Sequence, residues 1–413
     1  MHNIFRADIA ILGAARTPVG KFDGCLKDFL AVDLGGIAIA EAVRRAGVSP
    51  ADVQAVSMGS VVTGGFGASP AKQAALKGGL TPYVHSRVVE CVCGSSVDAL
   101  AITAESIVAG GPDLCVAGGM ESRSNAPYLL GPHLTRKTPN YDRGSRLRVK
   151  RAGAYRFALS ENVEEQLAAT EMKDATTYDS LFWPPDKKFM RDHALMYVKR
   201  SGYSLEQINA LSADSYLKAR RATAEGWLAD EIAACGDAAT DDIPDAEKVE
   251  ALRSASGDDF ASGFNSSGPA DCGSAVVVTS GERARSLGLK PIAWIRGYAR
   301  VDGPPEEYLG QPVAASIELL DAMRAAGHDI GWEVAEANEA FGIQLPLYFE
   351  NFPGTIINPH GGAIAMGHPL GAAGTRLVTT LVYSLQRYQK RWGLMCTCFG
   401  GGGGYAVAIE NTL

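Results

Sequence analysis

Asn358-Pro359-His360-Gly361-Gly362-Ala363-Ile364-Ala365-Met366-Gly367-His368-Pro369-Leu370-Gly371 is followed by a helix-prone stretch over 372–389. A strand-like run over 392–397 then leads through Cys398-Phe399 into the glycines 400–404. The same plan stands near the other end of the chain. Cys93-Gly94-Ser95-Ser96 forms a small-residue turn, a helix is predicted to 109, a strand over 113–117, and Gly118-Gly119 makes the exit. Two copies of reactive residue, tight turn, helix, strand and glycine exit predict a duplicated fold.

The surrounding pattern fits that reading. Apolar runs at 9–12 and 53–58 read as buried strands, and Leu34, Ile37, Ala38 and Ala42 recur at helical spacing within 31–46. A helix is expected over 70–80, another near 317–326, and a strand over 334–338. Strands alternating with helices predict an α/β protein whose sheets are covered by helices. Residues 123–261 differ in texture. They carry a basic island (Arg136, Lys137, Arg143, Arg146, Arg148, Lys150, Arg151), acidic residues Glu161, Glu164, Glu165 and Glu171, Trp183-Pro184-Pro185, and a long helical pattern over 205–225. The expected organisation is an N-terminal half from 1–122 and 262–290, an inserted loop domain over 123–261, and a C-terminal half over 291–413.

The 413 residues are 46% hydrophobic and 21% charged, an ordinary globular balance, and the net charge of −7 disfavours nucleic acid or an anionic membrane as the main partner. No apolar run is long enough to span a bilayer, and the N-terminus lacks the pattern of a secretory signal. Eight cysteines in so long a chain do not make a disulfide scaffold, so a cytoplasmic setting with free thiols is expected.

Those thiols and the histidine turn point to acyl transfer. Claisen chemistry between thioesters needs a thiolate to take the acyl group, a base to generate it, an acid/base for the carbanion carbon, and donors for two oxyanions. Cys93 lies where a strand turns into a helix, a placement expected to lower its pKa and to aim backbone N–H groups at developing charge. A lone cysteine is usually a small buried hydrophobe, but the Gly-Ser-Ser that follows favours a nucleophile. Cys398 precedes a glycine run where backbone can approach a ligand, and Gly367-His368-Pro369 fixes an imidazole at a turn. The pairs Cys91/Cys93 and Cys396/Cys398, with His360 or His368, are too narrowly spaced for a structural zinc site, so no metal is expected and Cys91 and Cys396 read as core. No Gly-Lys-Ser/Thr follows the glycine run and no GxGxxG opens a helix after the first strand, which disfavours nucleoside triphosphates and nicotinamide cofactors.

At this point the chain resembles the thiolase family along nearly its whole length. The resemblance rests on Ala14-Ala15-Arg16-Thr17-Pro18-Val19-Gly20, Val92-Cys93-Gly94-Ser95, Ala117-Gly118-Gly119-Met120-Glu121-Ser122, Asn338-Glu339-Ala340-Phe341, Gly367-His368-Pro369-Leu370-Gly371 and Cys398-Phe399-Gly400-Gly401-Gly402, in that order. It implies two similar five-stranded halves in a five-layered αβαβα architecture, a loop domain inserted in the first half, and a homodimer or homotetramer. It implies Cys93 as the acylated nucleophile, His368 as its base, and Cys398 as acid/base at the acetyl carbon. Asn338 would hold a water that, with His368, forms one oxyanion hole, and the N–H groups of Cys93 and Gly400 would form the other. Ser267, Met190, Phe341 and Ala340 would line the pantetheine and acyl path. The implied reaction is CoA-dependent cleavage of a 3-oxoacyl-CoA, or its reverse, as in fatty acid metabolism, with acyl-CoA and CoA as substrates and no tightly bound cofactor. A ketoacyl-synthase-like condensing enzyme would lack the second cysteine, and a non-catalytic binding subunit would lack at least one of the four reactive residues.

The chain departs from the family where Met190-Arg191-Asp192-His193-Ala194-Leu195-Met196 replaces Met-Gly-x-Thr-Ala-Glu-Asn, and where 241–245 lacks an arginine. The island of Arg143, Arg146, Arg148, Lys150 and Arg151 is a candidate to grip CoA phosphates in its place, against the alternative of a solvated or oligomer-contacting loop.

Overall fold

The computed structural model describes residues 1–130, 149–151, 157–159 and 172–412. β1 (His2–Arg16) is buried on both faces from Ile9 onward, and its alternation sorts side chains between two cores. Ile9 and Ile11 enter one cluster, Ala10 and Leu12 another. Then follow α1 (Ala31–Ala46), β2 (Ala55–Gly59), α2 (Pro70–Lys77), β3 (His85–Val89), α3 (Ser95–Val108) and β4 (Leu114–Glu121). α1 is closed at its start by Asp33 accepting from the Leu30 N–H at 3.0 Å, and at its end by Gly47 in the left-handed conformation, φ 67°.

Residues 123–261 supply α4 (Met190–Ser201), α5 (Leu205–Ala224) and α6 (Ala246–Ala255), besides short antiparallel pairings of 128–130 with 172–174, 149–151 with 157–159, and 182–183 with 188–189. Arg136, Lys137, Arg143, Arg146, Arg148 and the acidic residues 161–171 lie outside the described residues, as do the side chains of Lys150 and Arg151. The chain then forms β5 (Ala270–Ser280), β6 (Ala293–Asp302), α7 (Gln311–Ala325), β7 (Val334–Ala337), α8 (Gln344–Asn351), β8 (Ile356–Ile357), α9 (Ala373–Tyr388), β9 (Trp392–Phe399) and β10 (Gly403–Asn411).

The strand order is β8-β7-β9-β10-β6-β1-β5-β4-β2-β3. Divided between β6 and β1, it is one five-strand pattern used twice, with parallel pairs at the outer edge and antiparallel pairs toward the seam. The two halves join edge to edge where β1 also pairs with β6, His2–Ile4 against 297–299 and Ile9–Ile11 against 293–295, with a register break between. The helices make the layers. α1 and α2 cover one face through Val32, Ala38, Ile39 and Ala74, and α7 covers the far face through Leu319 and Met323. α3 and α9 share the central core, where Leu100 and Ile107 meet Leu377, Leu381 and Leu385 between residues of both halves. The five-layered α/β arrangement anticipated from the sequence is the one found.

Gly118 and Gly119 do not end their strand as the sequence suggested. They lie inside β4, opposite Ala275 and Ser274. A β-carbon on Gly119 would stand 2.2 Å from the Gly371 carbonyl oxygen, so the glycine marks where the His368 loop crosses the sheet of the other half.

Candidate active site

Cys93 sits in the tight turn between β3 and α3. The preceding Val92 has φ 46°, a strained conformation for a β-branched residue that costs on the order of 1–3 kcal/mol. Ser95 holds the turn: its Oγ accepts from the Cys91 N–H (2.9 Å) and donates to the Val92 carbonyl (2.6 Å), while the Gly94 N–H reaches the Cys91 carbonyl at 2.8 Å. The Gly-Ser-Ser signature is thus the hardware of the turn. Gly94 has side chains of the other half against it, since a β-carbon there would lie 3.2 Å from Phe399 and Tyr405.

His368 occupies the equivalent turn before α9. Gly367 at φ 99° precedes it, and the His368 N–H donates to the Gly268 carbonyl at 2.8 Å. Asn338 follows β7 directly, anchored by its N–H on the Cys396 carbonyl (2.9 Å). Its Nδ2 donates to His368 Nε2 at 3.4 Å and to Cys398 Sγ, at the end of β9, at 3.9 Å. Cys93, His368, Asn338 and Cys398 are all buried.

Cys93, His368 and Gly400 line one cavity of about 390 Å³, together with Met190, Ser267, Ala340 and Phe341. All nine residues singled out in the sequence therefore converge: seven face the cavity, and Asn338 and Cys398 stand directly behind His368. Ser267 is fixed by its Oγ and N–H on the Ala340 carbonyl (3.0 and 3.1 Å). A β-carbon at Gly400 would fall 2.9 Å from Met190 Sδ, so glycine here leaves room for the cavity wall. A larger surface groove of about 800 Å³ beside α1 contains none of these residues.

The electrostatics differ in one respect from the sequence expectation. Burial pushes the Cys93 thiol well above its ordinary range, assisted by the neighbouring Cys398, and the Gly400 N–H offsets only part of this. The helix start does not lower the resting pKa, because removing a thiolate from water outweighs a partial helix charge. Burial, with Arg376 and Arg123 nearby, brings His368 down to about 3, and burial raises Cys398 to about 11. At neutral pH the site holds two neutral thiols and a neutral imidazole. Such a set can pass a proton from sulfur to nitrogen as the sulfur attacks, and can keep a second S–H in reserve.

Sequence reasoning missed Tyr308, whose hydroxyl donates to the Met190 carbonyl at 3.0 Å, and Ser180 and Leu181, which wall the cavity just before Met190 in the chain. No local pattern marks them, since they reach the site only through tertiary packing. It also missed Gln344 beside Cys398, although the residue lies only six positions beyond Asn338.

Comparison with known proteins agrees with this geometry. The chain matches the family description "Thiolase, N-terminal domain" over 9–282 and "Thiolase, C-terminal domain" over 289–411. It is 34% identical to an acetyl-CoA acetyltransferase of Cupriavidus necator across 98% of this chain and 99% of that one. It is likewise 34% identical to an acetyl-CoA acetyltransferase of Escherichia coli, covering 97% and 98%. Among solved structures, the Acat5 thiolase of Ascaris suum in complex with coenzyme A superposes with a TM-score of 0.82 at 29% identity, covering 98% of this chain and all of that one. The Bacillus anthracis acetyl-CoA acetyltransferase gives the same TM-score at 26% identity, with 98% and 99% covered.

Proposed function

The chain belongs to the thiolase family, and on that premise we propose that Cys93, His368, Asn338 and Cys398 together cleave 3-oxoacyl-CoA with free CoA, or join two acyl-CoA molecules in reverse. The observation that carries this reading is the pair of contacts from one buried amide, Asn338, to His368 and to Cys398, behind a cavity that also exposes Cys93.

In the cleavage direction Cys93 Sγ attacks the 3-oxo carbon as its proton passes to His368, which burial keeps neutral and ready to accept. The resulting oxyanion meets the N–H groups of Cys93 and Gly400. The C2–C3 bond breaks, and acetyl-CoA leaves as its enolate, its oxygen held from the His368 and Asn338 side. Cys398 gives its S–H proton to C2. The proton of an incoming CoA thiol restores Cys398, the CoA sulfur takes the acyl group, and His368 returns its proton to Cys93. Atoms and protons balance over the cycle.

Met190, Ser267, Ala340 and Phe341 guide the pantetheine arm and acyl chain, an assignment supported by their place on the cavity wall. The C-C bond chemistry of both directions favours a thiolase over a ketoacyl-synthase-like enzyme because Cys398 is present at the site, buried against Asn338. A reducing, cytoplasmic setting is supported by eight free cysteines, and no described helix is long and apolar enough to cross a membrane. Assembly as a homodimer or homotetramer is part of the same proposal. The test is thiolysis of a panel of 3-oxoacyl-CoA substrates, followed by loss of enolate absorbance. Peptide mass analysis without free CoA should then place the acyl adduct on Cys93; an adduct on Cys91 or Cys398 alone would overturn the assignment.

A further inference from the structure

Behind Cys398 the structure closes a ring of buried hydrogen bonds. Gln344, the first residue of α8, accepts from Cys398 Sγ at its Oε1 (4.0 Å) and from the Phe341 N–H at the same oxygen (3.3 Å). Its Nε2 donates to the Tyr348 hydroxyl one turn later, at 3.0 Å. The Tyr348 hydroxyl donates to the Asn338 carbonyl at 2.9 Å, and Asn338 returns to Cys398 Sγ. Gln344, Tyr348 and Cys398 are fully buried, and Asn338 nearly so.

The ring fixes the amide's orientation. Burial holds the Tyr348 phenol protonated, and its single proton is committed to Asn338, so toward Gln344 it can only accept. Gln344 must therefore turn its nitrogen to Tyr348 and its oxygen to Cys398. An acceptor-only oxygen facing a sulfur favours S–H over thiolate, while the Asn338 amide donates to the sulfur from the other side. We infer that Gln344 is a positioning residue that holds Cys398 as an oriented, proton-bearing thiol, anchored in turn by Tyr348. This rests on the assignment of Cys398 as the carbon acid/base. Gln344 does not line the cavity, so it acts through Cys398 rather than on substrate.

The role predicts a split between two reactions of one site. Thiolysis needs the Cys398 proton; transfer of an acyl group from acyl-CoA through Cys93 to a pantetheine thiol makes and breaks no carbon–carbon bond. Gln344→Met removes the acceptor at similar volume and should lower kcat for thiolysis by about tenfold or more, a share of the hundredfold or larger effect of a proton carrier, with transacylation within about twofold. Tyr348→Phe leaves the amide in place without its anchor and should give the same split at a few-fold size. Cys398→Ala runs beside them. If thiolysis survives Cys398→Ala, the assignment of Cys398 itself fails. If Cys398→Ala abolishes thiolysis but Gln344→Met and Tyr348→Phe lower both reactions together, or neither, the positioning role is overturned. Should Gln344→Met not fold, Tyr348→Phe decides alone by the same ratio.

Discussion

Gly374 stands so close to Val97 that a β-carbon would lie 2.7 Å from the Val97 backbone nitrogen and 3.1 Å from Ser96 Oγ. The Thr375 N–H donates to that same hydroxyl at 3.1 Å. α3 and α9 thus touch within their first turns, and those turns directly follow Cys93 and His368. One unit, duplicated and packed helix start to helix start, delivers a nucleophile from one half and a base from the other.

Gly374→Ala should therefore separate the two turns. Overpacking of this kind costs about 1–3 kcal/mol, so the melting temperature should fall. Acylation of Cys93, measured as burst amplitude and rate with a 3-oxoacyl-CoA, should slow by about tenfold, since small misplacements of reacting groups are costly. An unchanged melting temperature with normal acylation would show that the crossing tolerates a methyl group and does not set the site.

Cys398→Ala should lose thiolysis and condensation by about a hundredfold or more while transacylation through Cys93 persists. His368→Ala should suppress both, because it removes the acceptor of the Cys93 proton. Steady-state rates of the two reactions in each variant check this. A Cys398→Ala protein with near-normal thiolysis would remove Cys398 from the mechanism.

Much of this was legible in the chain, for a physical reason. Tight turns that hold reactive groups demand Gly, Pro and Ser at fixed offsets, so Cys93-Gly94-Ser95 and Gly367-His368-Pro369 announce themselves locally. The helix bounds at 31–46 follow from apolar spacing, Asp33 and Gly47. What stayed hidden depends on contacts distant in sequence. Gly118 and Gly119 look like a strand exit, and only distant contacts explain them as interior, Ser274 against Gly118 and Gly371 against Gly119. Cys93 looks activated by its helix, and only its burial in the folded protein shows the opposite shift. Ser180 and Tyr308 carry no signal at all, because each reaches the cavity from a segment whose own pattern is unremarkable.

Arg16, read in the sequence only as part of a motif, is a buried tie between β1 and the segment 231–241. Its guanidinium grips Asp241 through two bonds (2.6 and 2.9 Å) and Glu231 through Nε (2.6 Å), and Asp241 also accepts from the Val19 N–H at 2.8 Å. With Asp241 made an amide, Arg16 keeps Glu231 as its counterion but loses a charge-assisted fork and faces an NH2 that cannot accept, a loss of about 1.5–3 kcal/mol. Asp241→Asn should accordingly unfold at markedly lower denaturant, whereas Asp242→Asn beside it should change little. Equal midpoints for the two variants would refute the tie.

Glu336 on β7 is a further buried carboxyl that the proposed mechanism does not use. Neither of its oxygens has a hydrogen-bond partner among the described residues, and burial, opposed by Arg376, brings its pKa up to about 8. An unfolded chain titrates the same carboxyl near 4.3. Below that value both states hold the proton and Glu336 exerts no penalty. As pH rises toward 8 the unfolded chain has released a proton that the folded protein retains, so stability falls across this window. Glu336→Gln copies the protonated form without the titration. Its unfolding free energy, from denaturant titrations, should match the parent protein near pH 4 and exceed it progressively up to pH 8, by an amount on the order of a few kcal/mol at the upper end. A variant that is less stable than the parent at pH 8 would mean that Glu336 is ionised in the fold and paired with Arg376.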